Sequence, residues 1–119
     1  SAVDDCTISA AKLVIFGEIH AATPCIEMQR RTAETMLATG DGRLHIVLEQ
    51  CNFEQQGLLD AYADGQLTMA ELVAAYKEGT EGANLAAYEP LLKLALERPG
   101  SVALHGGFIP RPYAKMVMR

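Results

Sequence analysis

Three short segments carry most of the side chains able to do chemistry: Gly17-Glu18-Ile19-His20, Glu49-Gln50 and His105-Gly106-Gly107. Glu18 and His20 are two residues apart, so in an extended segment their side chains project to the same side. Carboxylates and imidazoles in such a group suit general acid–base work, or coordination of a borderline divalent metal through N and O ligands. The structural alternative is that Glu18 and His20 only hydrogen-bond loop backbone or a helix N-terminus. His105 stands between a ligand and a satisfied structural histidine, and His45, in the middle of an apolar run, reads as packing.

The elements that must position these groups follow from apolar patterning. Leu13-Val14-Ile15-Phe16, closed by Gly17, reads as a fully buried strand. Thr23-Pro24 supplies a helix start, with Thr as N-cap and Pro at the first helical position. Ile26, Ala33 and Leu37 keep helical spacing up to Gly40. Leu44 to Leu48 reads as a second strand, apolar enough to be buried on both faces. Asn52 caps a helix through Tyr62, and Thr68 with Glu71 makes a capping box for another. A third helical stretch from Asn84 meets Pro90, which imposes a kink or a fresh start. Ser101 to His105 is a third strand, and Tyr113 to Arg119 opens a last helix.

The order β-α-β-ααα-β-α specifies an α/β fold with a parallel sheet. Three strands are few for a doubly wound domain. The chain therefore reads as the N-terminal part of a larger one. In open parallel sheets ligands gather at the carboxyl ends of the strands, which is where the three segments fall.

Weaker candidates sit around them. Gly106-Gly107 could cradle an anion before a helix, although a tight turn is the plainer reading. Arg111 and Tyr113 could hold a carboxylate or propionate. Tyr62, Tyr76 and Tyr88 read as core residues with outward hydroxyls. Met28, Met36 and Met69 follow the same stripes.

Composition excludes several classes. The 119 residues hold 10 Lys+Arg against 15 Asp+Glu, a net charge of −5, with half the chain hydrophobic. Disorder is ruled out, the acidic balance argues against a backbone-driven nucleic-acid binder, and no apolar stretch approaches the roughly 20 residues of a membrane span. Cys6, Cys25 and Cys51 show neither finger spacing nor a disulfide framework and read as plain thiols. The start at Ser1 without a Met implies preceding residues. Compartment and homo-oligomerisation are left open.

Taken together, Leu13-Val-Ile-Phe-Gly-Glu-Ile-His20, Ile46-Val-Leu-Glu-Gln50, Phe53-Glu-Gln-Gln56, Leu59-Asp-Ala-Tyr62, Ala87-Tyr88-Glu-Pro90-Leu and Ile109-Pro-Arg111 resemble the ChaN-type haem-binding uptake proteins. These are grouped with the Tiki proteases and erythromycin esterases, which share a Gly-Glu-x-His or Gly-x-x-His signature after the first strand and a glutamate after the second. The resemblance implies one α/β domain over residues 1–119, cut short at its C-terminus, with residues 1–11 as a disordered lead-in. It implies haem as the ligand and a role in haem or iron handling. His20, His105, Arg111 and Tyr113 are then the cofactor-binding residues. The relatives imply an alternative, a metal-dependent hydrolase or protease. There Glu18, His20 and Glu49 would act as catalytic groups or as ligands of Zn, Mn or Co. Gln56 and Tyr88 match pattern positions to which the sequence assigns no role.

Overall fold

A computed structural model of the chain describes residues 12–17, 21–40, 42–77 and 84–108. Helix α1 spans Thr23–Thr39, with Pro24 in its first turn, where a missing N–H costs nothing. Its N-cap is Ala22 and not Thr23, so the helix begins one residue earlier than the Thr-Pro signal indicates. Strand β1 is Leu44–Asn52 and strand β2 is Val102–Phe108. They pair in parallel, with Leu44 opposite Val102 and Val47 opposite His105, and the register shifts between Leu48 and Asn52. Parallel pairing with helical connections makes this an α/β fold.

Between the strands run a 3-10 turn Phe53–Gln55, helix α2 (Gln56–Ala63), helix α3 (Met69–Lys77), a second 3-10 turn Leu85–Tyr88, and short helices α4 (Glu89–Leu92) and α5 (Leu94–Glu97). Local chemistry explains their starts. The Asn52 side chain accepts from the Glu54 N–H, while the Gln55 side chain accepts from the Asn52 N–H. Thr68 and Glu71 exchange the two bonds of a capping box at 3.0 and 3.1 Å. Pro90 gives a fresh start, since α4 begins at Glu89 where the preceding 3-10 turn ends.

The core lies between the helices and one sheet face. Leu48, Val102 and Leu104 meet Leu59, Tyr62, Leu72, Tyr76, Leu85, Tyr88, Leu92 and Leu94 there. Burying such a set of leucines and tyrosines supplies most of the stability of so small a layer pair, at about 1.5–3 kcal/mol for each large apolar side chain. Burial also pushes the Tyr62 hydroxyl above the ordinary tyrosine pKa, with Glu89 and Glu97 adding to the effect.

Several expectations are corrected. Leu13 to Phe16 is not a buried strand: the segment has no ladder partner, and Leu13 and Ile15 are 76% and 83% exposed. Four residues offer few ladder bonds to offset the cost of ordering the backbone. β1 is buried on one face only, since His45, Val47 and Glu49 are exposed while Leu48 and Gln50 on the opposite face are buried. It also runs four residues past Leu48, so Glu49 lies on the strand and not after it. Gly106 and Gly107 belong to β2 and form no turn or anion cradle. They are needed for close approach: a Cβ on Gly106 would stand 2.2 Å from the Asn52 carbonyl oxygen, and one on Gly107 would stand 2.3 Å from Val47 Cγ1.

Candidate functional site

The free edge of β1 borders a cleft of about 870 Å³. One wall is the segment Lys12 to Phe16, another is α1 through Thr32, Ala33 and Met36, and the floor is Leu44 to Gln50. Adjacent strands stand about 4.8 Å apart. Because Leu13 to Phe16 forms no ladder with β1, the space a third strand would close remains open. The volume falls within the range of small-molecule sites, and the walls are largely apolar, as such sites are. Among the described residues, the charged groups lining it are Lys12, Arg43 and Glu49. Among these described groups, two cations thus face one carboxylate, in a chain that carries −5 overall.

Two polar constellations border this cleft. In the first, the Tyr88 hydroxyl accepts from the Ala21 N–H at 3.0 Å and from Gln50 Nε2 at 3.1 Å. The Tyr76 hydroxyl donates to the Gln50 carbonyl oxygen. The hydroxyls of Tyr76 and Tyr88 therefore point inward, opposite to expectation. Ala21 takes a left-handed backbone with φ 58°, a conformation that costs a non-glycine residue roughly 1–2 kcal/mol. The bond from Tyr88 holds it there. One hydroxyl thus ties the residue following His20 to the residue following Glu49, and Tyr88 acquires the role that its sequence position left unassigned.

Gln56 acquires one too. Its Nε2 donates to the Leu104 carbonyl oxygen at 2.8 Å, and its Oε1 accepts from the Gly106 N–H at 2.9 Å. A side-chain amide here makes the bonds that the backbone of an adjoining strand would make to β2. The geometry fixes β2 where His105 sits.

In the second constellation, His45 Nδ1 and His105 Nε2 lie 2.9 Å apart, with ring centroids at 5.1 Å and planes tilted by 35°. The tilt and the short N···N separation describe an in-plane hydrogen bond, not stacking. One ring must donate and the other accept. His45 is therefore not a packing residue: it is exposed on the open sheet face and lines the cleft. His105 is half-buried beside it, inside β2 and not at its end.

Of the residues singled out in the sequence, Glu49 lines the cleft and His105 meets the cleft-lining His45. Glu18, His20, Arg111 and Tyr113 lie outside the described residues. Among the described residues, no group of three or more His, Cys, Asp or Glu gathers to hold a metal ion. Cys51 is buried and Cys25 partly so. No described helix is long and apolar enough to cross a membrane. Sequence reasoning missed His45, Arg43 and Met36 as cleft residues. The signal for His45 was available: His45, Val47 and Glu49 alternate with Ile46, Leu48 and Gln50, and polar ends on the first set mark an open face.

The family model for haem-binding uptake proteins, ChaN, of the Tiki superfamily, matches residues 6–119. The chain belongs to this family. No curated protein and no solved structure matches it. Glu18, His20, Glu49, Gln56 and Tyr88 all fall within the span matched to the ChaN family. The described ones among them, Glu49, Gln56 and Tyr88, belong to the cleft or brace the strands beside it.

Proposed function

We propose that this ChaN-family chain binds haem in the cleft along the free edge of β1, and through it serves haem or iron handling. The cleft itself carries the reading. It is a largely apolar slot of ligand size whose described charged groups are two cations and one carboxylate, which suits a flat, apolar dianion. The residues present fit that group. Val14, Phe16, Ala33, Ile46 and Leu48 offer apolar walls, and Lys12 and Arg43 can pair with propionates. An imidazole lines the wall at His45. Haem bound there supplies an iron centre; the chain's own part is to bury the macrocycle, neutralise its carboxylates and present a ligand.

The same reading assigns Tyr113 to the iron, His20 to the edge of the haem and Arg111 to a propionate, because tyrosinate serves as a haem ligand. His105 contributes through its contact with His45. Glu18 and Glu49 are assigned to the polar edge of the site, next in sequence to the segments that Tyr88 and Gln50 tie together.

Haemin titration tests the proposal. A saturable shift of the Soret band is expected with the wild-type chain. Arg43→Glu should weaken binding by about fivefold or more, since an exposed ion pair of about 1 kcal/mol is replaced by repulsion. A haemin spectrum that does not change on addition of protein, or one that changes without saturating, refutes it.

A further inference from the structure

We infer that His45 is an iron ligand through its Nε2, and that His105 is the residue that sets its tautomer. The inference rests on the haem reading given above. Three observations carry it. The pair is asymmetric with respect to the cleft: His45 lines it and His105 does not. The hydrogen bond between them uses Nδ1 of His45 and Nε2 of His105, so the ring nitrogen of His45 outside that bond is Nε2. The backbone beneath both rings is fixed by the parallel ladder, in which His45 faces Ala103 and Val47 faces His105.

Tautomer chemistry then decides the roles. If His45 Nδ1 carries the proton and donates to His105 Nε2, His45 Nε2 bears a lone pair free to bind a metal. If His105 Nε2 donates instead, His45 Nδ1 spends its lone pair on the hydrogen bond and Nε2 carries the proton. Only the first arrangement ligates. Iron binding selects it, and His105 as acceptor raises the basicity of the ligating ring, as the outer partners of metal-bound histidines do. His105 is accordingly a positioning residue, because the nitrogen nearest the cleft-lining ring is already engaged. The placement is independent of strand ends: both histidines lie within their strands, on the open face beside the exposed Val47.

The test uses the 119-residue chain, haemin as the probe, and three variants: His45→Ala, His105→Ala and His105→Gln. Neither histidine belongs to the buried core, and far-ultraviolet circular dichroism of each variant checks that the fold persists. Resonance Raman and electron paramagnetic resonance of the complex report the nitrogen ligand directly. His45→Ala is expected to lose the histidine–iron signature, and added imidazole should restore it. His105→Ala should keep that signature with a weakened iron–nitrogen stretch and an affinity lower by about 10-fold to 100-fold, the usual effect of losing such a partner. His105→Gln, whose side-chain oxygen can accept from Nδ1, should recover part of both. A His45→Ala complex with the wild-type ligand signature overturns the assignment while leaving haem binding in place. Loss of the signature in His105→Ala, with His45→Ala unaffected, reverses the two roles and equally overturns it. A wild-type chain that leaves the haemin spectrum untouched overturns both this assignment and the reading it rests on.

Discussion

Val47 and Gly107 show how a single missing methyl group sets the geometry of the site. Val47 is 66% exposed, yet its Cγ1 would lie 2.3 Å from a Cβ placed on Gly107. Ordinarily Gly→Ala in an extended segment gains about 0.4–1 kcal/mol by restricting the unfolded chain. Here a contact far inside van der Waals distance wins, because the β-branched Val47 has little rotameric freedom with which to yield. Gly107→Ala is therefore expected to destabilise by about 1–3 kcal/mol. In a Val47→Ala background the nearest remaining atoms would be at 3.5 and 3.8 Å, and the same substitution should become neutral or stabilising. Urea unfolding of the double-mutant cycle checks this, and an equal cost of Gly107→Ala in both backgrounds contradicts it. Gly106 offers no such rescue, since its obstacle is the Asn52 carbonyl, which is backbone.

At the scale of elements, the helix starts set by side chains local in sequence are the most legible part of the chain, whereas α1 has Ala22 as its N-cap and no side-chain cap. Thr68-x-x-Glu71 identifies its own capping box, and both bonds form. The Thr68 backbone N–H, followed by its side chain, holds the Glu71 carboxyl below the ordinary glutamate value. A depressed folded pKa means a contribution fully present above the unfolded value and lost as pH falls through the lower folded one. The stability difference between wild type and Glu71→Gln should therefore shrink on acidification across that window and stay flat from neutral pH to its upper edge. An NMR titration placing Glu71 at the ordinary value would refute the link. Strands were legible in existence but not in extent or exposure. Leu44 to Leu48 is apolar enough to mimic a strand buried twice over, while the side-chain bonds of Gln56 that brace β2 depend on partners that only the fold supplies. Leu13 to Phe16 fails for the converse reason: its apolarity mimics strand burial, whereas it lines a cleft whose other walls come from α1 and β1.

For the whole molecule, the cleft joins pieces distant in sequence: Lys12 to Phe16, one face of α1 and the edge of β1. The residues that build it were legible as elements, but their common boundary was not, because it exists only where a ladder fails to form. A ligand seated there touches α1 and the sheet at once and is absent from the unfolded chain, so its binding free energy adds to stability. At free haemin of about 100 times the Kd, linkage gives about 2.7 kcal/mol. For a chain of this length each kcal/mol raises Tm by about 4 °C, so a rise of roughly 10 °C is expected. The shift should grow with the logarithm of haemin concentration, and Arg43→Glu should lower it at fixed haemin in proportion to its weaker binding. Differential scanning calorimetry across a haemin series measures both. A Soret change with Tm unmoved would mean that haemin meets folded and unfolded chains equally, which a cleft assembled from three distant segments does not allow.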